Sequence, residues 1–298
     1  MKRFPEPRRW AIGEIEAEAN TAREIYAARR PSEGRDAYRV AYAQAVTSVT
    51  DLLDSSDDLA AIATTLTNRR SLLDVARYIT APPISADDLD TVANFFKSTM
   101  NGDAMAARTT VLVGGIDQGR FPWLSTTPPR KPTAAERKFA IGATASLVAA
   151  QRTATVLRNM WAKRQEGAVA AILASKEYVQ VKSRRIDSFA DLPPGLFCPE
   201  SFVFGQKSDI PVGLRNGRYL LLECKVSGSE VNSFKRLNHE TVNKRDTWER
   251  GFAAQAYTGA VLGGVFRPAN VLAAQERGVY IFWEHDLAPL AAFLDEIG

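Results

Sequence analysis

Cysteine and histidine are nearly absent from this chain. Its 298 residues hold two of each: Cys198 and Cys224, His239 and His285. Two cysteines cannot build a disulfide framework, and no combination of these four residues gives a zinc-ligand spacing. No apolar run approaches the roughly 18 residues a membrane helix needs, so no membrane partner is expected. The amino-terminal MKRFPEPRRW is basic but lacks the apolar core of a secretory signal, which makes the cytoplasm the expected compartment. Internal repeats and low-complexity tracts are missing too. What remains is an ordinary globular composition, 45% hydrophobic and 24% charged, in a chain long enough for one large domain or two modest ones.

Charge is modest in sum but uneven in place. From Arg120 to Gln165 there are nine Lys and Arg (Arg120, Arg130, Lys131, Arg137, Lys138, Arg152, Arg158, Lys163, Arg164) against one acid, Glu136. Residues 51–119 carry five basic and ten acidic side chains. Such segregation points to a face for a polyanion, with Arg130 and Lys131 as backbone contacts; the alternative is a solvated face whose charges are balanced by distant acids.

The first part of the chain reads as helical. Apolar residues recur at helical spacing over 11–30 and 36–54, and a further helix is expected over 86–99, opened by Ser85 and Asp88. Residues 100–132 are irregular, a long loop or a pair of short strands (VLVGG, FPWLS). Thr133 and Glu136 form a second capping box, opening a long helix with one break that ends near Lys176. After it the texture changes: strands are expected over 201–207, 209–215, 219–225 and 278–284, a helix over 236–262 and a closing helix from Ala288 to Ile297.

The segment KSDIPVGLRNGRYLLLECKVSG carries the chemistry. Asn216-Gly217 suits a two-residue type I′ hairpin turn, since both positions then need positive φ. Folding back there brings Asp209 beside Glu223 and Lys225, although 14 positions separate the acids. Glu223 and Lys225 share one face of their strand, while Cys224 points into the opposite layer as a small core residue. Two carboxylates with open positions are hard-oxygen ligands for Mg²⁺, with the Cys224 carbonyl as a further donor, and a neighbouring lysine can position an attacking water. Glu200 and Glu166 are alternative or accessory acids. Beyond Lys225, Ser227, Ser229, Asn232, Ser233, Lys235, Arg236, Asn238, His239, Asn243, Lys244 and Arg245 carry side chains suited to base edges or phosphates. Gln255 is a weaker candidate, and Trp283, Glu284 and His285 read as structural.

The D-x(n)-(D/E)-x-K pattern resembles the PD-(D/E)XK nuclease signature, except that Ser208 precedes the first acid and Pro211 follows it. Thr80-Ala-Pro-Pro-Ile84, Leu192-Pro-Pro-Gly-Leu-Phe197 and Trp283-Glu284-His285, in this order around the motif, resemble the XamI-type family of type II restriction endonucleases from about residue 70 onward. The resemblance implies an α/β fold with a PD-(D/E)XK core, a mixed sheet flanked by helices, over 166–298. Residues 1–165 would then be a largely helical region that embraces DNA and dimerises. It also implies a homodimer that uses Mg²⁺ to cut double-stranded DNA at a short palindromic site, leaving 5′-phosphate ends, beside a cognate DNA methyltransferase. Competing readings are a repair nuclease that recognises DNA structure, a non-catalytic DNA-binding module, and a helical interaction protein.

Overall fold

The structure, a computed structural model, describes residues 5–94, 102–229, 237, 240–253 and 255–297. The chain divides into two compact units, one formed by Met1–Pro31 with Arg158–Gly298, the other by Ser32–Leu157. Among the described residues no helix is long and apolar enough to cross a membrane.

The unit Ser32–Leu157 is helical. It takes in most of α1 (Ile12–Ser55), then α2 (Ile62–Asn68), α3 (Leu73–Ala76), α4 (Ala86–Val92), α5 (Gly102–Gly114) and the first half of α6 (Ala134–Ser175). Leu52, Leu66, Ile79, Leu112, Phe121, Trp123 and Val148 form its core. Two expectations fail here. The two amino-terminal helices are one helix that runs through Pro31. An interior proline costs about 3 kcal/mol, and the buried faces on either side (Ile15, Ala19, Ala22 and Ala37, Ala41, Ala45) oppose a break. VLVGG lies mostly within α5, because Ala104, Met105, Arg108, Thr109 and Leu112 bury one helical face that outweighs the β-branched run. FPWLS holds a short 3₁₀ turn, Pro122–Leu124. Both capping boxes form: the Ser85 hydroxyl accepts from the Asp88 amide at 3.0 Å, and Glu136 accepts from the Thr133 amide at 2.8 Å. Of the expected 86–99 helix, residues 95–99 lie outside the described residues.

The other unit is built on a six-stranded mixed sheet of order β1-β3-β6-β7-β8-β9, from Val179–Gln180 (β1), Leu196–Phe197 (β3), Ile210–Gly213 (β6), Tyr219–Ser227 (β7), Ala256–Gly264 (β8) and Val279–Trp283 (β9). A small second sheet joins Arg185–Ile186 (β2), Ser201–Val203 (β4) and Gln206–Ser208 (β5). The helices α7 (Val242–Gly251), α8 (Pro268–Glu276) and α9 (Ala288–Ile297) follow, so the large sheet carries helices on both faces. Alternation sorts the layers. Leu220 and Leu222 of β7 meet Val169 and Leu173 of α6 and Leu290 and Phe293 of α9, while Tyr219 and Leu221 meet Trp248 of α7 and Phe252.

The expected helix over 236–262 ends at Gly251, and β8 replaces its last part. Its run AYTGAVLGG is a parallel strand buried on both faces, and such a run lacks the alternation that distinguishes strand from helix. Glycine is needed within it: a Cβ on Gly259 would lie 2.7 Å from Leu222 Cδ2 and 3.0 Å from Phe282 Cε2.

Candidate active site

The hairpin of β6 and β7 delivers the acids. Leu214 accepts from the Gly217 amide at 2.9 Å, and the Leu214 amide donates to the Arg218 carbonyl at 2.8 Å. Gly217 has φ +80° and Asn216 does not take positive φ. The turn is therefore a three-residue loop, Arg215 to Gly217, a type I turn followed by a left-handed glycine, rather than the expected two-residue type I′ turn. This correction sets the register. Ile210 pairs with Leu222, so the next position along the hairpin sets Asp209 opposite Glu223. A two-residue loop would have set Asp209 opposite Cys224, whose side chain points to the other face. The two-residue geometry occurs one hairpin earlier, where Phe204 (φ 47°) and Gly205 (φ 77°) join β4 to β5.

Three side chains converge. Asp209 Oδ2 accepts from the Cys224 amide at 2.7 Å and faces Lys225 Nζ at 3.4 Å. Glu223 is 0% exposed, and its Oε2 meets Lys225 Nζ at 2.8 Å. A second ammonium, Lys244 Nζ on α7, reaches the same oxygen at 2.7 Å. The other oxygen, Oε1, is buried without a hydrogen-bond partner among the described residues. Burial pushes the Glu223 carboxyl upward, with Asp209 adding to the shift and Lys225 and Lys244 opposing it. Burial would lower the Lys225 ammonium, but Glu223 and Asp209 together hold it above the ordinary lysine value. Glu166 on α6 is also raised, by burial first and then by Asp209 and Glu200, which places its charge within reach of the same centre.

Among the described residues no group of three or more His, Cys, Asp or Glu is arranged as a metal cage. The residues nevertheless fit a hard divalent cation that keeps waters and takes phosphate oxygens, for which two carboxylates suffice. Glu223 Oε1, with no hydrogen-bond partner among the described residues, is an oxygen donor that such a cation would satisfy. The Cys224 carbonyl leaves the strand on the same side as its amide, toward Asp209. The Cys224 side chain packs into the opposite core, as expected.

The remaining expected residues fall in different places. Ser227 is buried, and its hydroxyl donates to the Ser229 carbonyl at 2.7 Å. Asn232, Ser233, Lys235, Arg236, Asn238 and His239 lie outside the described residues. Arg245 pairs with Glu249 at 2.8 Å, and Glu200 is exposed and pairs with Lys207 at 2.7 Å. Gln255 is not at the site: its carbonyl accepts from the Tyr219 amide, at the end of β7 away from Glu223. Trp283 is buried, Glu284 accepts from Arg164 at 2.8 Å, and His285 shares a 2.7 Å contact with Glu18. Sequence reasoning assigned Lys244 to DNA and missed its contact with Glu223. The available signal was a lysine early in the helix that follows the Glu-Cys-Lys strand and packs on the Glu223 face.

At least six of the nine cations between Arg120 and Gln165 are paired with acids. Arg120 meets Asp117, Arg130 meets Glu136, Lys131 meets Asp57, Arg137 meets Asp54 and Asp58, Arg152 meets Asp74, and Arg164 meets Glu284. Much of the apparent basic excess is balanced by the acid-rich segment before it, the alternative left open by composition.

Comparison with known proteins matches this chain to a family. The family model described as XamI restriction endonuclease matches residues 57–283. The type II restriction enzyme XamI of Xanthomonas campestris pv. amaranthicola is 32% identical over 257 residues, covering 83% of this chain and 93% of that enzyme. Among solved structures, the crystal structure of protein VC1899 from Vibrio cholerae aligns at 13% identity and a TM-score of 0.31, over 90% of this chain; the chain spans 58% of that protein.

Proposed function

The chain belongs to the XamI restriction endonuclease family, and from that premise we propose that it cuts both strands of DNA at a short palindromic sequence, using Mg²⁺ and leaving 5′-phosphate and 3′-hydroxyl ends. The observation that carries this reading is the convergence of Asp209, Glu223 and Lys225 at 2.8 to 3.4 Å on one face of the β6–β7 hairpin.

Asp209, Glu223 and the Cys224 carbonyl are the residues that would hold the cation. Bound there, Mg²⁺ would polarise the scissile phosphate and offset the charge that builds on it during displacement. Lys225 is placed to orient the attacking water and to neutralise negative charge on the phosphoryl oxygens. Its ammonium is shared between both acids, which fixes its position without consuming all three of its protons. Glu166 is an accessory acid at the edge of this group.

DNA contacts are assigned to the segment after Lys225, with Ser229 at its described start, and to Arg130 and Lys131. Arg130 and Lys131 must exchange their pairs with Glu136 and Asp57 for phosphates, an exchange of one exposed ion pair for another and therefore of small net energy. Two active sites related by a two-fold axis match a palindrome, so the working form is a homodimer, with the amino-terminal helices as its interface. A cognate methyltransferase would protect the host site, and the cytoplasm is the compartment that goes with this role.

The test is digestion of unmethylated plasmid and phage DNA with Mg²⁺ or EDTA, beside Glu223→Ala. Discrete fragments that require Mg²⁺ and Glu223 are expected, and sequencing their ends gives the site and stagger. Smearing that requires both points to a structure-directed nuclease of the same fold. Salt-sensitive binding without cutting would sink the catalytic reading.

A further inference from the structure

Glu223 is held by two lysines, and the proposed chemistry uses only one. Both ammoniums lie on Oε2, Lys225 at 2.8 Å and Lys244 at 2.7 Å, while Oε1 has no partner among the described residues. A fully buried carboxylate is tolerated only when paired. Lys225 is divided between Glu223 and Asp209, so Lys244 supplies the second unit of positive charge. Asp209, Glu223, Lys225 and Lys244 together sum to zero with no metal bound.

A divalent cation on the two carboxylates would change that sum to plus two within a few ångströms. Glu166, at the edge of the group, offsets part of this excess, and the remainder disfavours keeping both ammoniums on Oε2. Lys225 is the more enclosed and is tied to both acids, its side chain 11% exposed; Lys244 touches one acid and is 19% exposed. α7 itself is fixed, since Trp248 is fully buried and donates to the Val203 carbonyl at 3.0 Å. The flexible part is therefore the four-carbon stem of Lys244 and not the helix beneath it.

Resting on the proposed function, we propose that Lys244 is a built-in stand-in for the divalent cation: it holds Glu223 in the metal-free enzyme and is displaced when the metal enters. Lys244 is thus a positioning residue that sets the affinity for the cation, acting through Glu223. Its removal weakens the metal-free protein and tightens metal binding. A simple structural ion pair would do only the first.

The experiment uses the full chain without DNA and titrates Mn²⁺ calorimetrically into the wild type, Lys244→Gln, Lys244→Arg and Asp209→Asn, with melting measured at zero and saturating Mn²⁺. Removing a like charge beside the carboxylate should tighten Mn²⁺ binding in Lys244→Gln on the order of tenfold. Lys244→Gln should melt below the wild type without metal and recover most of the difference with Mn²⁺, whereas Lys244→Arg stays near the wild type in both measurements. Unchanged or weaker Mn²⁺ binding in Lys244→Gln, or an equal melting deficit with and without Mn²⁺, overturns the proposal. If Lys244→Gln does not fold alone, refolding in Mn²⁺ should rescue it, and failure of that rescue also overturns it. Mn²⁺ binding that Asp209→Asn abolishes but Lys244→Gln leaves unchanged sinks the role of Lys244 alone. Absence of binding to the wild type overturns the role of Lys244, while the digestion with Mg²⁺ or EDTA decides the nuclease reading separately.

Discussion

The Cys224 amide donates a 2.7 Å hydrogen bond to Oδ2 of Asp209, a residue 15 positions earlier. A side chain here takes the place that a neighbouring strand would otherwise fill. The bond aims the Asp209 carboxylate along the edge of β7 and fixes it relative to Glu223 and Lys225. Asp209→Asn can keep this bond through its amide oxygen while losing the charge. Its unfolding free energy should stay within about 1 kcal/mol of the wild type, because a neutral acceptor is only modestly weaker. Its cleavage rate should fall by about 100-fold or more. Urea unfolding beside a plasmid-cutting time course separates the two effects.

Glu223→Ala leaves two ammoniums facing an emptied, enclosed site. Beyond loss of cutting, it should lower stability by about 3 kcal/mol, the scale for breaking a buried pair from one side. Denaturant midpoints for Glu223→Ala and the double variant Glu223→Ala/Lys225→Met test this. The second substitution should restore part of the loss, and a purely additive result would rule out the charge explanation.

Gly217 carries the positive φ that closes the β6–β7 hairpin. Gly217→Ala should destabilise the fold by about 1 kcal/mol, and Gly217→Asn by less, since asparagine enters the left-handed region more readily. Equal midpoints for all three proteins in urea would refute this account of the turn.

Gly263 on β8 leaves room for Glu284. A Cβ there would overlap the Glu284 carboxylate, which accepts from Arg164 at 2.8 Å, and would lie 3.4 Å from Gln165 Nε2. Gly263→Ala should therefore cost about 1–3 kcal/mol, the usual range for overpacking. Combining it with Glu284→Ala should remove the clash, and calorimetric melting would detect the recovery.

The meeting of Asp209, Glu223 and Lys225 was legible because side chains alternate along strands and Asn216-Gly217 marks a reversal. The loop length was not, since the same dipeptide serves two-residue and three-residue turns, and the difference of one residue decides which acid meets which face. The β8 strand was hidden because a strand buried on both sides loses its alternation and its AVL run fits a helix equally well. Continuity of α1 through Pro31 depended on buried contacts on both flanks, which local propensity does not report. Lys244 meets Glu223 across 21 positions of chain, and that approach depends on how α7 lies on the sheet. The balance of the basic tract was hidden for a similar reason: Lys131, Arg137, Arg152 and Arg164 find their acids far away in sequence.

β7 pairs with β8 along all nine of its residues, but with β6 only from Tyr219 to Leu222. From Glu223 onward, one side of the strand has no ladder partner among the described residues. Sheet edges of this kind attract other chains and seed aggregates. At the start of this stretch the Asp209 carboxylate covers the Cys224 amide, at the mouth of the proposed active centre. A variant that strips this carboxylate without replacing its acceptor, such as Asp209→Ala, should leave the Cys224 amide bare as it removes the proposed ligand. On the proposed function, the yield of soluble material and the ability to cut DNA should therefore fall together in that variant.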